Sequence, residues 1–401
     1  MRMLTVPLLA LLLAVPASAQ APDVTPLDRQ IHDELLVLDT HLDIPMRFEG
    51  GDWDFGEHHH FHRDRTQVDL PRMEQGGLDG GFFVIYTGQG ELTPQGYAEA
   101  RSQALVRAAA IHRVLGENRE RMGLALTAED IQRLHREGKS IALLSIENSW
   151  PLGEDLSLLG SFHRLGVRMA GPVHNGNNQF SDSATAERPR WNGLSPLGRA
   201  WVAEMNRLGM LIDASHASDA AFDQMLALSK TPIILSHSGP KAMYEHPRNL
   251  DDARMRRLAQ AGGVMFLNSL FLAPDDRSPE RRALQGRQRQ WQSLTPAERR
   301  QLLTDLETRE RQQTWTAATF DSYMRSLLHA VRVMGADHVG LGADWDGGGG
   351  VQGLEDVSLL PRITARLRRE GLSEPDIAKI MGGNLLRVMR QAQAQAQAGR
   401  S

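Results

Sequence analysis

Short, wholly apolar runs alternate with helical stretches along most of this chain, and few folds accept that pattern. A strand that is apolar on both faces must be covered on both. The runs therefore belong in a parallel sheet flanked by helices, not in a half-exposed antiparallel one. They include Leu36-Val37-Leu38, Phe82-Phe83-Val84-Ile85-Tyr86, Ile141 to Ile146, Val167 to Ala170, Met210-Leu211-Ile212, Ile233-Ile234-Leu235, Val264 to Leu267 and Val339-Gly340-Leu341. Helical spacing and good helix formers predict helices near 94–116, 155–165, 196–208, 219–229, 320–334, 357–370 and 373–390. Thr127 to Asp130, Thr295 to Glu298 and Ser373 to Asp376 have the form of capping boxes, and Gly209 is a natural helix stop. About eight strands can be counted, so the leading architecture is an α/β fold, a closed (β/α)8 TIM-like barrel. A doubly wound open sheet is the alternative, but no Gly-x-Gly-x-x-Gly turn follows an early strand.

The alternation breaks at 273–318, which is charged, Arg- and Gln-rich and helical. It reads as a helical insertion, either a solvated surface excursion or a lid. Of 401 residues, 41% are hydrophobic, enough for a large core, and the net charge of -4 offers nothing to a nucleic acid or an anionic membrane surface. At the start, Arg2 precedes the apolar run Leu4 to Val15, and Ala17-Ser18-Ala19 follows as a small-residue cleavage site. Residues 1–19 read as a secretory signal peptide. The run is shorter than the about 20 residues a membrane span needs, and no other segment approaches that length. With no cysteine, neither a disulfide nor signal-peptide lipidation is available. Residues 20–390 then form one catalytic domain, and 391–401 is a Gln-Ala low-complexity tail. A bacterial protein exported to the periplasm or the medium fits best.

Polar residues able to bind metal or carry protons cap strand after strand: His41 and Asp43, Glu147, His174, His216, His237 and Asp344. His41 and Asp43 are two residues apart, so on an extended chain both point to one face, and Pro45 then stops the strand. Glu147, ending an apolar strand, is either solvated at the rim or a ligand. In a barrel all strand C-termini open on one face, where active sites are assembled. Imidazoles and carboxylates gathered there suit a divalent metal. A second histidine group, His58-His59-His60-Phe61-His62, lies in a polar loop that cannot fix coordination geometry, and no catalytic role is expected for it.

Asp39-Thr40-His41-Leu42-Asp43, Ser145-Ile146-Glu147-Asn148, His174-Asn175-Gly176-Asn177-Asn178, Ile212-Asp213-Ala214-Ser215-His216 and Ser236-His237-Ser238 together resemble the renal (membrane) dipeptidase family of zinc peptidases, M19. So do Arg248-Asn249, Gly342-Ala343-Asp344-Trp345-Asp346-Gly347, Gly353 to Val357 and Gly383 to Val388. The match runs in the right order from about residue 35 to 390. The resemblance implies a barrel of the metal-dependent hydrolase type holding two zinc ions (Zn2+). His41 and Asp43 would hold one, His216 and His237 the other, and Glu147 would bridge them, about 3.5–4 Å apart so that they share one hydroxide. It further implies that His174 and Arg248 contact a small dipeptide substrate and that Asp344 sits beside the nucleophile and shuttles its proton. A homodimer is compatible with it. Asn148 departs from the glycine of many relatives, and the 273–318 insertion is unusual.

Two other readings share these residues. An amidohydrolase acting on N-acyl amino acids, lactams or other small amides would keep barrel and metals and change the substrate. A non-catalytic exported metal-binding protein would use the His58–His62 run, but it has no need of acid–base carboxylates such as Glu147 and Asp344.

Overall fold

The computed structural model describes residues 23–50, 53–289 and 294–399. The expected signal peptide, 1–19, lies outside them. The strands are β1 (Leu38–Leu42), β2 (Gly80–Ile85), β3 (Met122–Leu124), β4 (Ser140–Ile146), β5 (Val167–Ala170), β6 (Leu211–Ile212), β7 (Ile234–Ser238), β8 (Val264–Leu267) and β9 (Val339–Leu341). They form a nine-stranded sheet in the order β6-β5-β4-β2-β1-β9-β8-β7, with β3 paired to β4 off this path. Every pairing is parallel. A parallel bridge between Asp213 and Ile234 joins the two ends of the path, and Ala214 N–H donates to the Ile234 carbonyl at 2.8 Å. The sheet is thus a closed parallel barrel, as the apolar runs require.

Side chains of opposite phase along the strands fall into two separate apolar clusters. One takes Leu38, Phe82, Leu143, Met169, Leu211, Ile234 and Phe266 from the strands, together with Leu385, Val388 and Met389 of the last helix. The other packs Phe83, Leu144, Ile212, Leu235 and Met265 against helix residues such as Trp201, Met205, Phe222, Leu258 and Leu327. The barrel wall separates them, the first filling the interior and the second lying under the outer helices.

Helix ends follow their sequence signals. Thr127 and Thr295 form complete capping boxes with Asp130 and Glu298. Gly209 ends Pro196–Leu208 at φ 71°, where only glycine avoids a Cβ penalty. Within 273–318 two helices form, Pro279–Arg289 and Pro296–Gln312. Buried Arg281 holds them together, its guanidinium donating to Asp276, Glu310 and the Gln313 carbonyl.

Three features differ from the sequence expectation. The short β3 supplements the eight strands of the ring. The stretch 373–390 is interrupted by a π-helical turn at Lys379–Gly383, after which one helix runs from Asn384 to Ala398. Most of the expected Gln-Ala tail is therefore ordered helix. Ala392 and Ala396, four residues apart, are buried on its inner face, and Gln393 donates to the Leu126 carbonyl. Among the described residues no helix is long and apolar enough to cross a membrane.

Candidate metal centre

Seven side chains able to hold a metal converge at the C-terminal mouth of the barrel: His41, Asp43, Glu147, His174, His216, His237 and Asp344. His41 lies in β1, His237 in β7, and Glu147 directly follows β4. The other three strands end where their apolar runs end, so His174, His216 and Asp344 sit on loops beyond β5, β6 and β9. Asp43 has left the extended conformation, with φ -86° and ψ 4° at the head of the turn Ile44–Arg47. Its carboxylate still meets His41, because that turn, carrying Pro45, folds it back over the barrel mouth.

One carboxylate oxygen is central. Glu147 Oε1 lies 2.9 Å from His216 Nε2, 3.5 Å from His237 Nε2, 3.6 Å from His174 Nε2 and 3.7 Å from His41 Nε2. His41 Nε2 is also 3.4 Å from Asp43 Oδ2 and 3.9 Å from Asp344 Oδ1. All but His174 are buried. With neutral imidazoles, the carboxylates of Asp43, Glu147 and Asp344 face only the guanidinium of Arg248 across a shared cavity. That is three negative charges against one positive.

The titration of these groups reflects the imbalance. Burial, joined by nearby cationic groups, keeps His216 and His237 well below the ordinary imidazole range. Burial together with Arg248 brings His174 down to about 4. Burial pulls His41 the same way, but Asp43 and Glu147 overcome it and push that imidazole up to about 10. The carboxyls rise: burial takes Glu147 well above its ordinary range and Asp344 up to about 7.

These residues fit divalent cations. His216 Nε2 and His237 Nε2 are 2.9 Å apart. Both ring nitrogens of His41, Asp43 Oδ1 and His216 Nδ1 are buried without a hydrogen-bond partner. Buried polar groups are normally satisfied, and imidazole and carboxylate donors facing one another are satisfied together by metal. The donors fall into overlapping sets, His41–Glu147–His237, Glu147–His174–His216 and His41–Asp43–Asp344, with Glu147 and His41 shared.

Sequence reasoning missed what holds the ligands. Asp213 Oδ1 accepts from Ser215 N–H at 3.1 Å, Ser215 Oγ at 2.6 Å and Ser236 N–H at 2.9 Å, and Oδ2 accepts from Ser236 Oγ at 2.5 Å. A serine hydroxyl has one proton. Ser236 spends it on Asp213, so at 2.8 Å it must accept from His237 Nδ1–H. His237 Nε2 is then left with its lone pair toward the site. The signal was present in the motif around Asp213, but it becomes readable only once β6 and β7 are neighbours. Asn148 has a supporting role: it donates to the Thr87 carbonyl and accepts from Trp150 N–H and Asn178. His59 is structural, its Nδ1 donating to Asp64 Oδ2 at 3.0 Å and its ring stacking on Trp53. His58 and His60 stay outside the converging set, and the His62 side chain lies outside those described.

Gly347 sets the spacing of two carboxylates. A Cβ there would lie 2.1 Å from both Asp344 Oδ1 and Asp43 Oδ2. The turn is held by Asp344 and Asp346 at φ 64° and 65°, a region costly for non-glycine residues. Gly347→Ala should therefore force the carboxylates apart, lowering bound metal and cutting turnover by about tenfold or more, while the melting temperature of the metal-free protein changes little. Metal analysis beside thermal unfolding checks this. A fully metal-loaded, fully active variant would show that the turn has room.

Comparison with known proteins identifies the family. The model of the membrane dipeptidase family (peptidase family M19) matches residues 27–401. Dipeptidase tcpJ of Claviceps purpurea is 34% identical over 332 residues, covering 81% of this chain and 69% of the relative. The crystal structure of the probable dipeptidase PvdM from Pseudomonas aeruginosa superposes with a TM-score of 0.78 at 30% identity, over 92% of this chain and 98% of that one. A metallopeptidase from Rhodobacter sphaeroides, liganded with a phosphinate mimic of the dipeptide L-Ala-D-Ala, gives a TM-score of 0.70 at 26% identity, over 89% and 99%. With its barrel, its convergent ligands and a family match spanning nearly its whole length, the chain belongs to the membrane dipeptidase family, peptidase family M19.

Proposed function

We propose that this protein hydrolyses the peptide bond of dipeptides with two zinc ions. The observation that carries the substrate class is Arg248. It is buried, and burial lowers its guanidinium to about 10, so it remains charged at neutral pH. Nη2 donates to the His237 carbonyl at 3.1 Å, while Nε has no partner. Among the described residues no carboxylate pairs with it. A buried, unpaired guanidinium lining the cavity calls for an anion, and its fork matches a carboxylate. The cavity measures about 230 Å³, below the about 300–1,000 Å³ of sites for drug-sized ligands, so the substrate is small.

His41 and Asp43 would hold one ion, His216 and His237 the other, with Glu147 shared. When bound, the ions supply Lewis acidity, which lowers the pKa of water and polarises a carbonyl oxygen. The chain's own groups do the rest. His174, neutral at working pH because it is buried beside Arg248, can donate a hydrogen bond to a developing oxyanion without carrying charge there. Asp344, whose Oδ1 lies 3.9 Å from His41 Nε2 at the barrel mouth, can take a proton on its carboxylate and return it to the leaving amine. Arg248 fixes the terminal carboxylate and with it the distance to the scissile bond.

We also infer export from the cell, on the strength of Arg2, the apolar run Leu4 to Val15 and Ala17-Ser18-Ala19. Protein recovered outside the cytoplasm should begin near Gln20 on N-terminal sequencing. A mature chain that still starts at Met1 would contradict this.

Purified without a metal-binding tag, the protein should carry about two zinc ions per chain by elemental analysis. Glu147→Gln should weaken both sites together, whereas His216→Ala should weaken mainly one. A preparation free of zinc, with activity indifferent to chelators, would remove the metal mechanism. Arg248→Met should lower kcat/KM for dipeptides by about 30-fold or more at unchanged zinc content. Dipeptide amides should be poor substrates already and lose little further. If amides and free dipeptides are cleaved equally and the mutation affects both alike, the broader amidohydrolase reading takes over.

A further inference from the structure

One wall of the cavity is explained neither by the metal ligands nor by the carboxylate clamp. Beyond β8 the chain turns at Leu270 and Phe271, and both line the cavity. Phe271 is held at φ 53°, a left-handed conformation that a bulky residue keeps only where its surroundings fix it. Three contacts do so. Asn249 Nδ2 donates to the Phe271 carbonyl at 2.9 Å. The Phe271 ring stacks on His246, with centroids 4.0 Å apart and planes 10° from parallel. It also lies 5.6 Å from the Arg248 guanidinium carbon. His246 in turn accepts from Arg248 N–H through Nδ1 at 3.2 Å. Clamp and wall are therefore one assembly, and the wall still leaves apolar surface uncovered, since Leu270 and Phe271 are only half-buried.

Strand order fixes which part of a substrate this wall meets. β8 lies beside β7, whose following loop carries Arg248, whereas β2 and β4, directly followed by Tyr86 and Glu147, lie across the mouth. A carboxylate held on Arg248 would bring its own α-carbon toward Leu270 and Phe271, because the Phe271 ring lies 5.6 Å from the guanidinium carbon in the same cavity. The N-terminal residue would then extend toward the opposite side. We propose that Phe271, with Leu270, is a specificity determinant for the residue bearing the free carboxylate, and that it selects an apolar side chain there over hydrogen. The driving force is the removal of both apolar surfaces from water.

This rests on the dipeptidase reading with Arg248 as clamp, so the experiment separates the two. On zinc-loaded enzyme, kcat/KM is measured for Ala-Leu and Ala-Gly with the unmutated chain, Phe271→Ala and Phe271→Leu, at verified zinc content. The native enzyme should prefer Ala-Leu by about tenfold or more, Phe271→Leu should retain most of that ratio, and Phe271→Ala should bring it close to one. A native ratio near or below one overturns the inference alone. So does a ratio unchanged in Phe271→Ala while both substrates slow together, because Phe271 would then merely prop Arg248. If the unmutated enzyme cleaves neither peptide, the dipeptidase reading falls and this inference with it.

Discussion

The barrel closes at its weakest seam, and the same residue that closes it aims His237 into the candidate metal centre. β6 has only two residues and meets β7 through one bridge, at Asp213. What the seam lacks in ladder hydrogen bonds, the Asp213 carboxylate supplies by accepting from the backbone and hydroxyls of Ser215 and Ser236. Hydrogen bonds to a charged group each contribute about 1.5–3 kcal/mol, and removing a buried acceptor would leave several donors stranded. Because Ser236 gives its proton to Asp213, His237 is held in the tautomer that bares Nε2. Closure of the fold and preparation of the site are thus one network.

The other constraint is electrostatic. A pocket holding Asp43, Glu147 and Asp344 but only Arg248 as a permanent cation is not at rest by itself. Its own remedy is to protonate, which is why His41 rises to about 10 and Asp344 to about 7. A divalent cation offers the same relief without the protons. Binding of that kind favours the folded chain over the unfolded one, where these side chains are scattered, so a filled centre would stabilise the fold as well as serve chemistry.

Much of this was legible in the sequence because the signals were either local or carried by type. Apolar runs gave away parallel strands, since only burial on both faces tolerates them, and the capping residues marked helix starts within a residue or two. The histidines and carboxylates stood out because strand ends rarely carry them. What could not be read depends on neighbours distant in the chain. Gly347 matters only because Asp43, three hundred residues earlier, comes within reach of its missing side chain. Phe271 acquires its place only because Asn249 and His246, in another loop, pin its backbone and ring. The Gln-Ala end reads as low complexity by composition, yet its alanines four apart match a helix face lying against the body of the protein.

The position of β1 has a consequence for how such a chain comes to exist. β1 sits between β2 and β9, with Asp39 paired to Leu341 and its carboxylate accepting from Ala343 N–H. The first strand to be made therefore waits for the last. Until residues beyond 341 are available, β1 has one open edge and His41 and Asp43 face no Asp344. A contact so distant in sequence is slow to form, and the open intermediate exposes strand edges to neighbouring chains. Any cell that makes this protein must keep it single through that interval. A fragment ending before β9 would lack the barrel as well as Asp344.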